Sequence, residues 1–266
     1  MTATFEARPA PPYPSSRNIL AGKSVLVTAS AGSGIGFATA RRCAEEGANV
    51  MLSDIHAERL ERFADELAAS LGRPVLRAVC DVRSQQDVTR LIERAEAELD
   101  GLDVLVNNAG LGMTRDLLDT SSEDWLRLID VNLSGPFRTI RAALPAMQAR
   151  GSGSIINLSS ICAWRAEAGQ TAYAASKAGL LALTRCAAVE AAEFGVRINA
   201  VVPSLAIHPH LQRVSSPEFL ERMIIENEVL GRAAETWEIG NAVVFLASDY
   251  ASYMTGEALS VSCRRA

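Results

Sequence analysis

Four polar residues in the middle of the chain have the types and spacing needed to move a proton on and off an oxygen atom. Tyr173 and Lys177 are four residues apart, so on a helix their side chains lie one turn from each other on the same face. A free tyrosine has a pKa of about 10, and a nearby ammonium favours the phenolate, so we expect Lys177 to bring the pKa of Tyr173 toward neutral pH. Ser160 lies upstream and could hydrogen-bond the same oxygen, and Asn132 completes the set. These residues predict proton transfer to or from a secondary alcohol or a ketone.

A Tyr-x-x-x-Lys pair alone is weak evidence for catalysis, because tyrosine and lysine on a helix surface are usually solvated neighbours. The pair gains weight from its companions and from a glycine-rich segment early in the chain. Ser159 is an alternative to Ser160, and the spacing to Tyr173 favours Ser160.

The elements that must position these side chains alternate between β-branched runs and amphipathic stretches. The predicted strands are residues 24–28, 49–53, 75–80, 104–106, 154–158, 197–201 and 258–261, and the predicted helices include residues 35–46, 57–69 and 86–99. Such alternation implies right-handed crossovers and a parallel sheet with helices on both faces. We therefore predict an α/β fold with one Rossmann domain, a doubly wound sheet of about seven strands over residues 20–266. Residues 1–19 are predicted to be a flexible, Pro-rich arm.

Two segments are predicted to depart from regular structure. Pro136 and Pro145 should kink or interrupt a long helix over residues 123–149, because proline lacks the N–H donor that a helix interior needs. Residues 203–217 are predicted to be an irregular loop.

A glycine-rich turn, TASAGSGIG at residues 28–36, follows the first predicted strand. Glycines at a strand-to-helix turn let the backbone approach a pyrophosphate, which the helix N-terminus stabilises. Asp54 ends the second strand, where a carboxylate can accept hydrogen bonds from the adenosine ribose and repel a 2′-phosphate. The alternatives are an ordinary glycine turn and a helix-capping role for Asp54. We predict NAD as cofactor, with NADP less favoured; Arg59 is the residue that would argue for NADP.

Asn132, Ser160, Tyr173 and Lys177 match the catalytic tetrad of the short-chain dehydrogenase/reductase family in type and spacing, and the chain resembles this family from about residue 20 to residue 261. The resemblance implies hydride transfer between nicotinamide and a carbinol or carbonyl carbon. It makes Tyr173 the base in oxidation and the acid in reduction, and it places Lys177 on the nicotinamide ribose. Ser160 would stabilise charge on the substrate oxygen. Asn132 would hold a water that links Lys177 to solvent.

The same resemblance implies which residues contact the cofactor. They come from the glycine-rich turn, the ends of the second and third strands, the Asn-Asn-Ala-Gly motif, the catalytic helix and the segment after the sixth strand. They are Ser30, Gly32, Ser33, Gly34, Ile35, Gly36, Asp54, Asp81, Val82, Asn108, Ala109, Gly110, Tyr173, Lys177, Pro203, Ala206 and His208. Asn107 opens that motif and has either a structural role or a place in the cofactor cleft.

The chain departs from the family pattern in three places. Ala29 stands where the family has its first glycine, and the turn is one residue longer. Ser204 replaces the glycine of a Pro-Gly pair, and His208 replaces a threonine that contacts the nicotinamide amide. His208 could face the cofactor or the substrate, or it could be structural. The ending SVSCRRA, residues 260–266, replaces the Asp-Gly-Gly of the family.

The substrate site is predicted to involve residues 111–114, 162–165 and 205–223, which combine apolar side chains with Arg165, His210 and Arg213. This lining would suit a bulky alicyclic alcohol with an anionic group, although solvated loop arginines are an equal alternative. The same segments resemble a branch of the family that acts in bacterial breakdown of steroid rings, partly on CoA thioesters. The competing hypotheses are an NADP-dependent 3-oxoacyl-thioester reductase and a nucleotide-binding scaffold without turnover.

The composition limits the partners. A net charge of −5 and a pI of ≈ 5.4 argue against a nucleic-acid partner. No apolar run reaches the ~18 residues that span a bilayer, and the N-terminus lacks the apolar region of a signal peptide. The five cysteines form no Cys-x-x-Cys pair, which favours reduced thiols and a cytoplasmic location. We predict no metal site and, from the resemblance, a homotetramer or homodimer.

Overall fold

Seven parallel strands form one sheet at the centre of the protein. The computed structural model describes residues 9–214 and 216–264, without the side chains at positions 210, 213, 214 and 219. The strands are β1 Ser24–Val27, β2 Asn49–Asp54, β3 Leu76–Val79, β4 Val104–Asn107, β5 Gly153–Leu158, β6 Val196–Pro203 and β7 Ala258–Val261. Their order is β3-β2-β1-β4-β5-β6-β7, and every neighbouring pair is parallel. The predicted single-domain, doubly wound fold is confirmed.

Helices cover both faces of this sheet. They are α1 Ile35–Glu45, α2 Ala57–Leu71, α3 Gln85–Glu98, α4 Ser122–Ile129, α5 Gly135–Arg150, α6 Thr171–Ala192, α7 Pro209–Val214, α8 Pro217–Asn227 and α9 Thr236–Ala247. Side chains of a strand alternate between the two faces, so Val25 and Val27 pack with α1, α2 and α9, whereas Leu26 packs with α3, α5 and α6. Two apolar cores therefore hold the strands, and the carboxyl ends of the strands share one edge.

The long helix predicted over residues 123–149 is divided, but Pro145 does not divide it. A π-helical turn, Asp130–Ser134, separates α4 from α5, and Pro136 lies in the first turn of α5, where its missing N–H costs no helical hydrogen bond. Pro145 lies inside α5 and does not interrupt it, because burial of Ala143 and Met147 on the same helix stabilises the element.

The segment at residues 203–217 is more regular than predicted. It contains α7 and ends at the first residue of α8. Pro209 and Pro217 are each the first residue of a helix, a position at which the fixed φ of proline is favourable. The segment predicted to be an irregular loop therefore contains two helix starts at proline. The side chains of His210 and Arg213, predicted to line the substrate site, lie outside the described residues.

Part of the predicted N-terminal arm packs against α1, while its residues 1–8 lie outside the described residues. The Tyr13 hydroxyl donates to Glu45 at 2.6 Å, and the backbone N–H groups of Arg17 and Ile19 donate to the Glu46 carboxylate at 2.9 and 3.3 Å. From Tyr13 onward the chain is thus tied to the end of α1. Across the described ranges, none of the helices is long and apolar enough to cross a membrane.

Candidate active site

The carboxyl edge of the sheet brings the four predicted catalytic residues together. Ser160 follows β5, while Tyr173 and Lys177 lie on the first turns of α6. The Lys177 ammonium lies 5.8 Å from the centre of the Tyr173 ring and donates to the carbonyl of Leu158 at 2.7 Å. The Ser160 side chain is a hydrogen-bonding neighbour of the Tyr173 phenol. The geometry therefore places a hydroxyl, a phenol and an ammonium around one space at the end of β5.

Asn132 reaches this site because it lies in the π-helical turn between α4 and α5. Its carbonyl oxygen accepts from the N–H of Leu111 at 2.7 Å, and its amide donates to the Leu111 carbonyl and to the Ser176 hydroxyl, both at 2.9 Å. Both amide donors are used, so only the carbonyl oxygen of Asn132 has a lone pair left for a water. A Cβ on Gly110 would come within 3.5 Å of both Asn132 and Lys177, so these two side chains flank the same small space. π-helical turns are frequent at functional sites, and this one directs the Asn132 amide toward α6.

The two titratable groups have pKa values that differ from our expectation. Burial raises the pKa of Tyr173 to about 12, and the interaction with Ser160 only partly opposes this effect. Burial also lowers the pKa of Lys177 to about 8. The Lys177 ammonium donates to a carbonyl, and burial disfavours its charged form. Lys177 therefore does not lower the pKa of Tyr173 toward neutral pH. Tyr173 is therefore a neutral phenol that can donate a proton at neutral pH.

Hydrogen bonds of ordinary length connect the glycine-rich turn to the segment that follows β4. Thr28 accepts at its hydroxyl from the backbone N–H groups of Asn108 and Ala109 at 3.0 and 3.1 Å. The Asn108 amide donates to the carbonyls of Thr28 and Ala29 at 3.1 and 2.9 Å. A Cβ on Gly36 would overlap this amide and the Ala29 carbonyl, which explains why glycine is required there. Ala29 itself has a φ of 49°, the left-handed conformation that favours glycine.

Asp54 supports this turn as well as ending β2. Its carboxylate accepts from the N–H of Ala31 at 3.2 Å, from the N–H of His56 at 3.1 Å and from the Arg59 guanidinium at 2.8 Å. The side chain is only 3% exposed. With three partners, the carboxylate has about one lone pair left for a ribose hydroxyl. Arg59, which is 43% exposed, stands beside that position.

The residues present fit a nicotinamide dinucleotide. A Cβ on Gly32 would meet no atom within 4 Å, so the turn opens onto free space in front of the N-terminus of α1. Among the described residues the Lys177 ammonium makes one hydrogen bond, so two of its three N–H donors are available to ribose hydroxyls. His208 lies close to the turn, since a Cβ on Gly34 would be 3.9 Å from its Nδ1 atom.

Other predicted cofactor residues have varied surroundings. Ser30 is fully buried, and its hydroxyl lies 2.9 Å from the carbonyl oxygen of Val27, to which it donates, and 3.3 Å from that of Ser53, so its side chain faces the core and not the cleft. Asp81 pairs with Arg83 at 2.6 Å at the end of β3. The rest lie along the same sheet edge: Ser33, Gly34 and Ile35 at the start of α1, Val82 after β3, Gly110 after β4, Pro203 at the end of β6 and Ala206 beyond it.

Asn107 belongs to a buried polar network behind the site. Its amide donates to the side-chain oxygen of Asn157 at 2.9 Å, and it accepts from the Thr139 hydroxyl at 2.6 Å. Of the two roles left open for Asn107, these contacts favour the structural one. Thr28 and Ser176 were missed as site residues, because a threonine ending a strand and a serine beside a lysine carry no specific signal.

The fold and site define an oxidoreductase that binds a nicotinamide dinucleotide, and the comparisons give its family. Residues 29–263 match the family model described as enoyl-(acyl carrier protein) reductase. The chain is 51% identical over 257 residues, 96% of its length and 97% of the relative's, to the (5R,7aS)-5-hydroxy-7a-methyl-1-oxo-2,3,5,6,7,7a-hexahydro-1H-indene-carboxyl-CoA reductase of Mycobacterium tuberculosis. It is 37% identical to the 3-oxoacyl-[acyl-carrier-protein] reductase FabG of Thermotoga maritima, covering 91% of this chain and 97% of the relative.

Solved structures agree with this relationship. A short chain dehydrogenase from Mycobacterium smegmatis has a TM-score of 0.85 and 46% identity, with 97% of this chain and 99% of that chain covered. NAD+-bound xylitol dehydrogenase has a TM-score of 0.85 and 30% identity, with coverage of 92% and 99%. The chain therefore belongs to the short-chain dehydrogenase/reductase family, whose members bind a nicotinamide cofactor.

Proposed function

We propose that the protein is an NAD-dependent reductase that interconverts a ketone and a secondary alcohol on a bulky alicyclic CoA thioester derived from steroid rings. The observation that carries this proposal is the 51% identity, over 96% of the chain, to a relative named as a reductase of a bicyclic indene-carboxyl-CoA compound. A dehydrogenase subunit acting on (2S)-[(R)-hydroxy(phenyl)methyl]succinyl-CoA in Thauera aromatica, 36% identical, also has a ring-bearing CoA substrate in its name.

The catalytic residues have the protonation states that the reductive direction needs. When bound, the nicotinamide cofactor supplies the hydride chemistry. Tyr173, neutral because its pKa is raised by burial to about 12, donates a proton to the substrate oxygen. Ser160 donates a hydrogen bond to the same oxygen and stabilises the charge that develops on it. Lys177 binds the nicotinamide ribose. Asn132 hydrogen-bonds both α6 and the loop after β4 and so fixes their relative position.

The choice of NAD rests on Asp54. A carboxylate at the end of β2 repels a 2′-phosphate, and the Asp54 side chain is held in place by three hydrogen bonds. Arg59 forms one of these bonds, so its charge is partly neutralised by the very carboxylate that would oppose NADP. This pairing supports NAD over NADP.

We further propose a cytoplasmic homodimer or homotetramer. The outer faces of α4, α5 and α6 expose Leu126, Phe137 and Val189 at 63%, 46% and 78%. Large apolar side chains on adjacent helices are typical of surfaces that pack against a second copy.

The competing function is an NADP-dependent 3-oxoacyl-thioester reductase, which the 37% identity to FabG supports. The test is oxidation of NADH and of NADPH, followed by the near-ultraviolet absorbance of reduced nicotinamide. The substrates are the CoA thioester of a keto-hydrindane carboxylic acid and acetoacetyl-CoA. We expect kcat/KM to be at least about tenfold higher for NADH and for the bicyclic thioester. Preference for NADPH with acetoacetyl-CoA would replace the proposal by its competitor.

A further inference from the structure

Two places where the chain departs from its family pattern meet at one buried carboxylate. Ser204, which replaces a glycine after β6, donates its hydroxyl to Glu228 at 3.1 Å. Cys263, in the altered C-terminal tail, places its thiol 2.9 Å from the same oxygen. Glu228 is only 4% exposed, and it follows directly after α8. The two departures are therefore parts of one structural unit, although 59 positions separate them, as 263 − 204 gives.

The next residue of the tail, Arg264, contacts the end of α8 as well. The Arg264 guanidinium donates from Nε and Nη2 to the side-chain oxygen of Asn227, the last residue of α8, at 3.1 and 2.9 Å. Its Nη1 atom lies 3.7 Å from the Glu167 carboxylate. The N–H of Val229 also donates to the carbonyl of Cys263 at 2.9 Å, which fixes the backbone of the tail beside the end of α8. The Arg264 side chain is 12% exposed, so it is shielded from solvent screening.

Glu167 connects this arginine to the reacting groups. It lies in the loop between Ser160 and α6, and its carboxylate is 3.8 Å from the Cys162 thiol. The backbone N–H of Cys162 in turn donates to the Ser160 hydroxyl at 3.3 Å. The same loop carries Trp164, which is half exposed. A shift of Glu167 would therefore move the loop that follows Ser160 and borders the proposed substrate space, while Ser160 itself stays at the end of β5.

We propose that Arg264 is a positioning residue that clamps the end of α8 to the loop at residues 161–170 and thereby fits the site to a bulky alicyclic thioester. The proposal rests on the function proposed above. A guanidinium can perform this role because its nitrogens spread in one plane: Nε and Nη2 donate hydrogen bonds to Asn227, while Nη1 forms an ion pair with Glu167. A compact alcohol needs only Ser160 and Tyr173, which β5 and α6 hold in place, so its KM should not depend on the clamp.

The kinetic test compares Arg264→Ala, Arg264→Lys and Glu167→Gln with the wild-type enzyme. We expect Arg264→Ala to raise KM for the bicyclic thioester about tenfold, with kcat changed less than about twofold. KM for cyclohexanol and the affinity for NAD should be unchanged. Arg264→Lys should recover only part of the loss, because a compact ammonium lacks the spread, planar donors with which the guanidinium reaches both Asn227 and Glu167. Arg94→Ala, which removes an exposed ion pair on α3, is the matched control and should leave every constant unchanged.

Hydrogen exchange of the amides supplies a readout that needs no substrate. Arg264→Ala and Glu167→Gln should speed exchange at residues 161–170, and Arg264→Ala should also do so at residues 224–229, while the glycine-rich turn is unaffected. Unchanged exchange, or equal rises in KM for the thioester and for cyclohexanol, would overturn the clamp. Failure of the wild-type enzyme to reduce the thioester would instead refute the proposed function, and the exchange measurement would still decide the clamp.

Discussion

The two halves of the cleft are built in different ways. The cofactor half, the turn at residues 28–36 with its neighbours, is held by backbone groups and short side chains that end adjacent strands, such as Thr28 and Asn108. The proposed substrate half, residues 161–170, 203–214, 216–230 and 262–264, is held by long charged side chains from distant parts of the chain, such as Glu167 and Arg264.

This difference explains what each half determines. The cofactor half must present the same backbone path to every nicotinamide dinucleotide, so its requirements are glycines and a carboxylate at set positions. For the proposed substrate, the substrate half would have to fit one ring system, and its side chains are positioned by partners that the fold brings together. The four predicted catalytic residues lie between the two halves.

The largest effect is expected at Tyr173, which belongs to neither half alone. Tyr173→Phe removes the proton donor while keeping the ring, so kcat for ketone reduction should fall about a thousandfold. NAD affinity should stay within about twofold, because the turn at residues 28–36 is untouched. Steady-state kinetics and a binding titration measure these values, with Tyr250→Phe, an exposed tyrosine, as control. If a tenth of the activity remained, Tyr173 would not be the proton donor.

The pH dependence of ketone reduction should report the charge state of Lys177. Burial lowers its pKa to about 8, so the ammonium is present below that pH and is lost above it. Tyr173, with a pKa raised to about 12, stays protonated over the same range. We expect kcat/KM for reduction to fall by up to about tenfold per pH unit above pH 8. Arg at position 177 keeps its charge, so Lys177→Arg should remove this fall whatever its absolute rate. A flat wild-type profile would show that the ammonium is not required.

The sequence predicts the cofactor half well and the substrate half poorly. The seven strands, the glycine turn and the positions of Asp54 and Lys177 follow from local patterns, because backbone geometry at strand ends dictates these residue types. Ser30 is the exception, since its hydroxyl turns into the core.

The contacts of the substrate half could not be predicted, because they join residues that only the fold brings together. Nothing local marks Glu228 as the partner of both Ser204 and Cys263. The pKa of Tyr173 was also mispredicted, since the spacing to Lys177 reveals the neighbour but not the burial that dominates it.

The cofactor half should be intolerant of a single added methyl group. A Cβ at position 36 would overlap the Asn108 amide and the Ala29 carbonyl, so Gly36→Ala should destabilise the protein by about 1–3 kcal/mol, even though alanine favours helices. Denaturant unfolding gives the free energy. Gly112→Ala is the control, since its Cβ would meet no atom within 4 Å and it should be neutral or slightly stabilising. Equal stability of both variants would mean that the turn is looser than its hydrogen bonds indicate.

The smallest effect tests whether the longer turn is strained. Ala29 has a φ of 49°, a conformation that costs an L-residue roughly 1–2 kcal/mol. Replacing alanine by glycine removes this strain but lowers stability by about 0.4–1 kcal/mol, because glycine increases the conformational entropy of the unfolded chain. The difference predicts that Ala29→Gly stabilises the protein by about 0.5 kcal/mol, measured by the same unfolding experiment. Ala31→Gly, in the same turn but outside the left-handed region, should instead destabilise it by about 1 kcal/mol, because it loses a buried methyl group and gains unfolded-state freedom. If both substitutions destabilise, the hydrogen bonds from Asn108 hold the turn without strain at Ala29, and the cofactor half accommodates its extra residue at no cost to the backbone.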